Sequence, residues 1–283
     1  MKELIEAAAR EAKISQIGFA RAEVFSDLGA VLAESDEVPM AEQDIEKRIN
    51  PFLIMEDAKT VIVLAFSYYT KTKGNISMYA RGRDYHKVTK KLAYPILSLL
   101  RDRGYKAEFF CDNAKLDERY LERSAGIGFI GKNGFLISPK FGSFVFLAHI
   151  VTDCEMEPDK PNTGSCEECG RCIKECPSES LKTGDYYSCL SYITQKKGEL
   201  SEKEKELIRK TGTCWGCDIC QLVCPHNKDA EQTGISEFCE DLICSIEKIS
   251  GSNREFKRKF SDRAFSWRGK GVIERNLNII NNI

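Results

Sequence analysis

Long apolar runs are missing from this sequence. The most hydrophobic segments, 61–69 and 144–151, are too short to span a bilayer and read as buried strands. An excess of one charge is missing too. Lys and Arg number 42 against 43 Asp and Glu, a net charge of −1, so no global field draws the chain to nucleic acid. The opening stretch, MKELIEAAAREAK, mixes acids and bases along an amphipathic helix, which argues against a signal peptide. There is no Walker loop, no Gly-x-Gly-x-x-Gly following a strand, and no local Ser/His/Asp arrangement. Low-complexity segments are absent as well. The expectation is a cytoplasmic protein in a reducing environment, with no membrane contact.

Cysteine is abundant. Of 13, eight fall into two runs: Cys166-x2-Cys169-x2-Cys172-x3-Cys176-Pro177 and Cys214-x2-Cys217-x2-Cys220-x3-Cys224-Pro225. This is the bacterial ferredoxin spacing for a [4Fe–4S] cube, in which three thiolates wrap one cluster and the fourth reaches the other. Two runs imply two clusters and single-electron transfer. A disulfide framework fits poorly, because a chain of 283 residues builds a core without staples. Zinc favours separated Cys-x2-Cys pairs without the proline.

Ahead of the runs, helices and strands alternate. Helices are expected at 2–13, 29–34, near 84–104 and at 116–125. Strands are expected at 16–22, 60–67, 106–111, 135–137 and 143–152. Asp84 is placed to cap the long helix, within which Pro95 is expected to cause a kink. Residues 60–67 are continuously apolar, so that strand is expected to be buried on both faces. Between the runs, 185–195 and 201–210 read as helices, the second with a Ser201/Glu204 capping box. Beyond Pro225, helices are expected at 236–249, 253–260 and 271–281.

Several residues invite chemistry. Gly126 to Lys132 resembles a glycine loop but follows a helix, which excludes the dinucleotide reading; a close backbone approach to a cofactor fits it better. His86, in Arg81-Gly-Arg-Asp-Tyr-His86, is open to metal ligation but reads first as a structural histidine. Asp112 follows Phe109, Phe110 and Cys111 at a strand end. There its carboxyl either has a raised pKa and donates a proton, or caps the next helix. Segment 254–270 carries seven bases, Arg254, Lys257, Arg258, Lys259, Arg263, Arg268 and Lys270, against Glu255 and Asp262. It is either a solvated face or a phosphate-contacting patch.

Longer stretches carry a resemblance: Asp44-Ile-Glu-Lys-Arg48, Gly82-Arg-Asp-Tyr-His86, 112–119, Ala125-Gly-Ile-Gly-Phe129 and Lys132-Asn133. They continue with Phe141-Gly-Ser143, Cys189-Leu-Ser-Tyr-Ile-Thr194, Gly216-Cys-Asp-Ile-Cys-Gln221 and Ser266-Trp-Arg-Gly-Lys270. In these, taken in order, the chain resembles the cobalamin-dependent epoxyqueuosine reductases of bacterial tRNA modification. The resemblance implies that epoxyqueuosine at the wobble position is reduced to queuosine by cobalamin, fed through two [4Fe–4S] clusters from an external electron donor. It puts the proton donor on Asp112 and cobalamin contacts on Arg48, Asp112, Leu136, Leu147 and Ser191. It makes Arg119, Lys132 and segment 254–270 candidates for the tRNA side.

The resemblance also implies interleaved ligation: Cys166, Cys169, Cys172 and Cys224 for one cluster, Cys176, Cys189, Cys217 and Cys220 for the other. The ferredoxin rule alone would take Cys214 in place of Cys189. The fold class implied is α+β: a mixed-sheet cobalamin-binding domain (1–155), a ferredoxin-like two-cluster module (156–232) and a helical C-terminal segment (233–283). Family members continue into helical repeats beyond the region of Lys270, whereas this sequence stops at Ile283. That departure implies weaker tRNA affinity, a partner surface or another substrate. The alternatives are a different corrinoid and iron–sulfur reductase, resembling reductive dehalogenases, or a non-catalytic ferredoxin-like electron carrier.

Overall fold

The computed structural model describes every residue except Asp36, Asn113, Ala114 and Ile283. Asn113 and Ala114, within the 112–119 stretch, therefore lie outside the described residues. The chain begins with α1 (Lys2–Glu11), β1 (Gln16–Arg21), α2 (Ser26–Ala33) and α3 (Ile45–Ile49). β2 (Thr60–Ser67) follows and is buried at every position. Its alternate residues feed two apolar layers. Ile62, Leu64 and Phe66 pack with Ile5 and Ala9 of α1 and with Ile96, Leu97 and Leu100 of α4 (Tyr85–Arg101). Val61, Val63 and Ala65 pack with Leu28 and Ile49 on the other face. Each large side chain buried this way contributes about 1.5–3 kcal/mol, and two occupied faces explain the unbroken apolar run.

Asp84 caps α4, its carboxylate accepting from the His86 N–H, and the helix runs through Pro95. β3 (Ala107–Cys111), α5 (Glu118–Ser124), β4 (Phe129–Ile130), β5 (Leu136–Ile137) and β6 (Val145–Thr152) complete the region. The main sheet has the order β1-β2-β6-β3, and every neighbouring pair is antiparallel. The expected mixed sheet is therefore corrected. β2 and β3 run the same way, as alternation through α4 demands, but β6 is inserted between them. α2 and α3 return the chain to the end of the sheet it left, which an antiparallel neighbour permits.

The remainder is built of short helices: α6 (Arg171–Lys174), α7 (Ser180–Thr183), α8 (Leu190–Gln195), α9 (Glu202–Thr211), α10 (Ile219–Leu222), α11 (Ser236–Cys239), α12 (Asn253–Phe260) and α13 (Lys270–Ile280). The Ser201/Glu204 capping box is present on α9. Two expected helices are corrected. The 185–195 helix is broken, since Cys189 is extended between a 3-10 turn and α8. The 236–249 helix survives only as α11. Beyond it, backbone groups bond to the loop before α4: Ile76 N–H donates to the Cys244 carbonyl at 3.1 Å, and Ile243 N–H to the Arg81 carbonyl at 3.0 Å. Asn75 also brackets Ile246 through its side-chain amide. Gly74 permits this approach, since a Cβ there would stand 2.0 Å from the Cys244 oxygen. No described helix is long and apolar enough to cross a membrane.

Candidate active site

Asp112 lies one residue beyond β3, at the rim of a cavity of about 500 Å³ that Arg48, Leu116 and Arg119 also line. Its side chain is 52% exposed. It does not cap α5; Asp117 does, its carboxylate accepting from the Tyr120 N–H at 3.0 Å. Asp112 Oδ2 instead accepts from the Tyr85 hydroxyl and lies 3.2 Å from His86 Nε2. His86 Nδ1 lies 2.8 Å from Asp84 Oδ1. The N-terminal turn of α4 thus delivers both partners of Asp112.

These contacts reverse the expected pKa. Desolvation pushes the Asp112 carboxyl up, but hydrogen bonds from His86 and Tyr85, with the charges of His86 and Arg119, outweigh it and hold it below its ordinary value. Asp112 and Asp84 raise His86 to about 9. Burial, with the charge of Asp112, raises the Tyr85 hydroxyl. The proton at this site therefore rests on His86, flanked by two carboxylates. The sequence leaves His86 between metal ligation and a structural part and does not disclose its pairing with Asp112, although Asp84-Tyr85-His86 at a helix start is a visible signal.

The cysteines fall into two spatial sets. Cys166, Cys169, Cys172 and Cys224 line one cavity, beside Lys132 and His226. Cys176, Cys189, Cys217 and Cys220 line another of about 190 Å³, with Ser191 and Phe135. Burial raises the Cys224 thiol, and the charges of Cys166, Cys172 and Cys169 add to this. Cys217 is pushed up to about 12 by burial first, then by Cys189 and Cys176. Cys214 is fully buried and pushed up to about 12 by burial alone, with no contribution from another cysteine. It packs with Trp215, Phe256 and Phe265 in a separate apolar cluster. Four thiols around one cavity is the number that a [4Fe–4S] cube takes, so both sets suit iron.

The second cysteine cavity shares Val38 and Arg119 with the Asp112 cavity, so the two adjoin. Arg48 pairs with Asp117 at 2.5 Å while lining the Asp112 cavity. Leu136 is buried and Leu147 half-buried in the apolar layer beneath α5. Of the C-terminal bases, Arg254, Lys257, Arg258 and Lys259 are exposed on α12. Arg263 is buried, bonding to the Arg81 carbonyl and to Asp241, and so does not face solvent as a phosphate contact. Arg268 stacks on the exposed Trp267 ring at 3.7 Å.

Residues 165–227 match the 4Fe-4S double cluster binding domain, and residues 48–113 match the family described as epoxyqueuosine reductase QueG, DUF1730. The chain is 36% identical to the epoxyqueuosine reductase of Lactococcus garvieae, over 98% of this chain and 85% of that protein. It is 32% identical to that of Bacillus subtilis, over 97% and 77%. The fold superposes on the Streptococcus thermophilus epoxyqueuosine reductase with a TM-score of 0.83 and 31% identity, covering 99% of this chain and 80% of that one. It also superposes on an epoxyqueuosine reductase bound to an epoxyqueuosine-modified tRNA-Tyr stem loop, with a TM-score of 0.90, 30% identity and the same coverage. With such identity along nearly its whole length, and a double cluster domain where its cysteine runs lie, the chain belongs to the epoxyqueuosine reductase family.

Proposed function

We propose that this chain reduces epoxyqueuosine to queuosine in tRNA, with a cobalamin held at the Asp112 cavity and two [4Fe–4S] clusters behind it. The adjoining cavities carry this reading: the Asp112 rim meets the second cysteine set across Val38 and Arg119. A corrinoid is broad and apolar on its faces, with an amide rim. Apolar Val38, Pro39, Met40 and Leu116, set against Arg48 and Arg119, suit that chemistry. Leu136, Leu147 and Ser191 complete the proposed contacts. When bound, the clusters supply electrons singly and the corrinoid supplies a strongly reducing metal.

The chain's own residues supply protons. Converting an epoxide to an alkene and water consumes two electrons and two protons. Asp112, ionised at rest, takes the proton of His86, which Asp84 orients, and hands it to the departing oxygen; reprotonation of His86 from solvent supplies the second proton by the same route. Tyr85 keeps the Asp112 carboxylate directed at this relay. Residues 1–155 carry the corrinoid, 156–232 the clusters, and 233–283 brace the two. The first cluster takes Cys166, Cys169, Cys172 and Cys224, and the second Cys176, Cys189, Cys217 and Cys220. Cys169 is exposed, which makes the first set the entry point for an external donor. Arg119 at the cavity mouth, the exposed bases of α12 and Lys132 face the RNA, although Lys132 also lies 3.4 Å from Glu168.

The test is anaerobic purification with reconstituted clusters, a visible spectrum on adding cobalamin, and turnover of an epoxyqueuosine stem loop with a strong reductant. Binding and alkene formation are expected. Failure to bind cobalamin, or binding without turnover, overturns the proposal. Asp112→Asn is expected to keep both spectra and lose about 10²–10⁴-fold in kcat, the range for a removed general acid; near-normal turnover would return Asp112 to a structural part.

A further inference from the structure

We propose that Glu118 is the positioning residue for Asp112, a role that rests on the function proposed above. Asp112 has φ +63°, in the left-handed region, which is uncommon for a residue with a side chain even though Asp enters it more readily than most. The β3–β6 pairing ends at Cys111 opposite Ala148 and so does not hold it. Among the described residues a side chain meets it instead: the Asp112 main-chain N–H donates to Glu118 Oε1 at 2.8 Å. Glu118 is itself firmly seated. It is the first residue of α5, whose start is fixed by the Asp117 cap, and Asp117 is tied to Arg48 by both its side chain and its N–H. With the Asp112 backbone held, its Oδ2 meets Tyr85 and His86 together.

The chemistry of the acceptor fits. Burial, then the charge of Asp112, pushes the Glu118 carboxyl well above its ordinary value. Glu122, one turn further along the same helix, is raised by burial and then by Glu118. Burial thus favours the neutral form of Glu118, which limits the negative charge placed beside Asp112. A glutamine offers a neutral carbonyl oxygen at the same reach, and an alanine offers nothing.

The experiment compares wild type, Glu118→Ala and Glu118→Gln as cluster-loaded proteins. Two readouts need no turnover: amide exchange of the peptide that contains Asp112, and NMR titration of His86, one of only three histidines. In Glu118→Ala the peptide is expected to exchange faster, and His86 to titrate below the value of about 9 that Asp112 helps maintain. On substrate, kcat is expected to fall about 10–100-fold with KM within about twofold, the pattern of a misplaced catalytic group. Glu118→Gln is expected to restore all three. Unchanged exchange and titration in Glu118→Ala, or a glutamine variant as impaired as the alanine one, overturns the proposal. Should Glu118→Ala lose its iron, Glu118→Gln alone decides: wild-type exchange and titration support the role, and departure from both overturns it. If wild type itself fails to turn over the stem loop, the proposed function falls while exchange and titration still judge Glu118.

Discussion

His86 sits between two carboxylates, Asp84 at 2.8 Å and Asp112 at 3.2 Å, and is raised to about 9 by them. It is therefore a cation throughout the neutral range. Because its pKa rises on folding, the stability it contributes is fully present below its ordinary value of about 6.5 and is lost as pH rises through about 9. The melting temperature of His86→Gln is expected to lie below that of wild type near about pH 6 and to converge with it above about pH 9. Turnover is expected to fall over the same alkaline limb, and a pH–rate profile of His86→Gln that lacks the limb would confirm the assignment. Asp112 was legible in the sequence, as a carboxyl at a strand end. Its ionisation was not, because the groups that set it, His86 and Tyr85 on α4 and Arg119 on α5, reach it only through the docking of those helices around the sheet.

Among the elements, β2 and the caps of α4 and α9 were readable because their causes are local: an unbroken apolar run, Asp84, and the Ser201/Glu204 pair. The failures all have distant causes. Ile243, Cys244 and Ile246 give backbone hydrogen bonds to residues 75–81, before α4, instead of to a helix. The strand directions depend on where β6 inserts. The break at Cys189, with φ −60° and ψ 129°, interrupts a segment that reads as a single helix and leaves that thiol lining the second cysteine cavity. Cys189→Ala is accordingly expected to lose about half the iron, one cluster of two. Cys214→Ala is expected to keep its iron and lose about 1 kcal/mol of stability, the cost of one small buried group. Iron content of the two variants, measured side by side, checks the pair; iron loss from Cys214→Ala alone would favour the ferredoxin rule.

For the molecule as a whole, a net charge of −1 hides a local excess of bases on α12. Phe256 and Phe260 anchor that helix in the core while Lys257, Arg258 and Lys259 face outward. Reversing these three charges is expected to weaken stem-loop binding at least about 10-fold and to reduce the slope of log affinity against log salt by about 3, near one unit for each phosphate no longer neutralised. An unchanged slope would place the RNA elsewhere. The sheet order β1-β2-β6-β3 has a further consequence, for how the chain is made. β6 is the last strand synthesised, yet it separates β2 from β3. Until Val145–Thr152 has left the ribosome, both waiting strands present unpaired edges, the template for aggregation. A nascent chain halted before Val145 is thus at its most vulnerable, and the last strand to emerge is the one that closes the sheet.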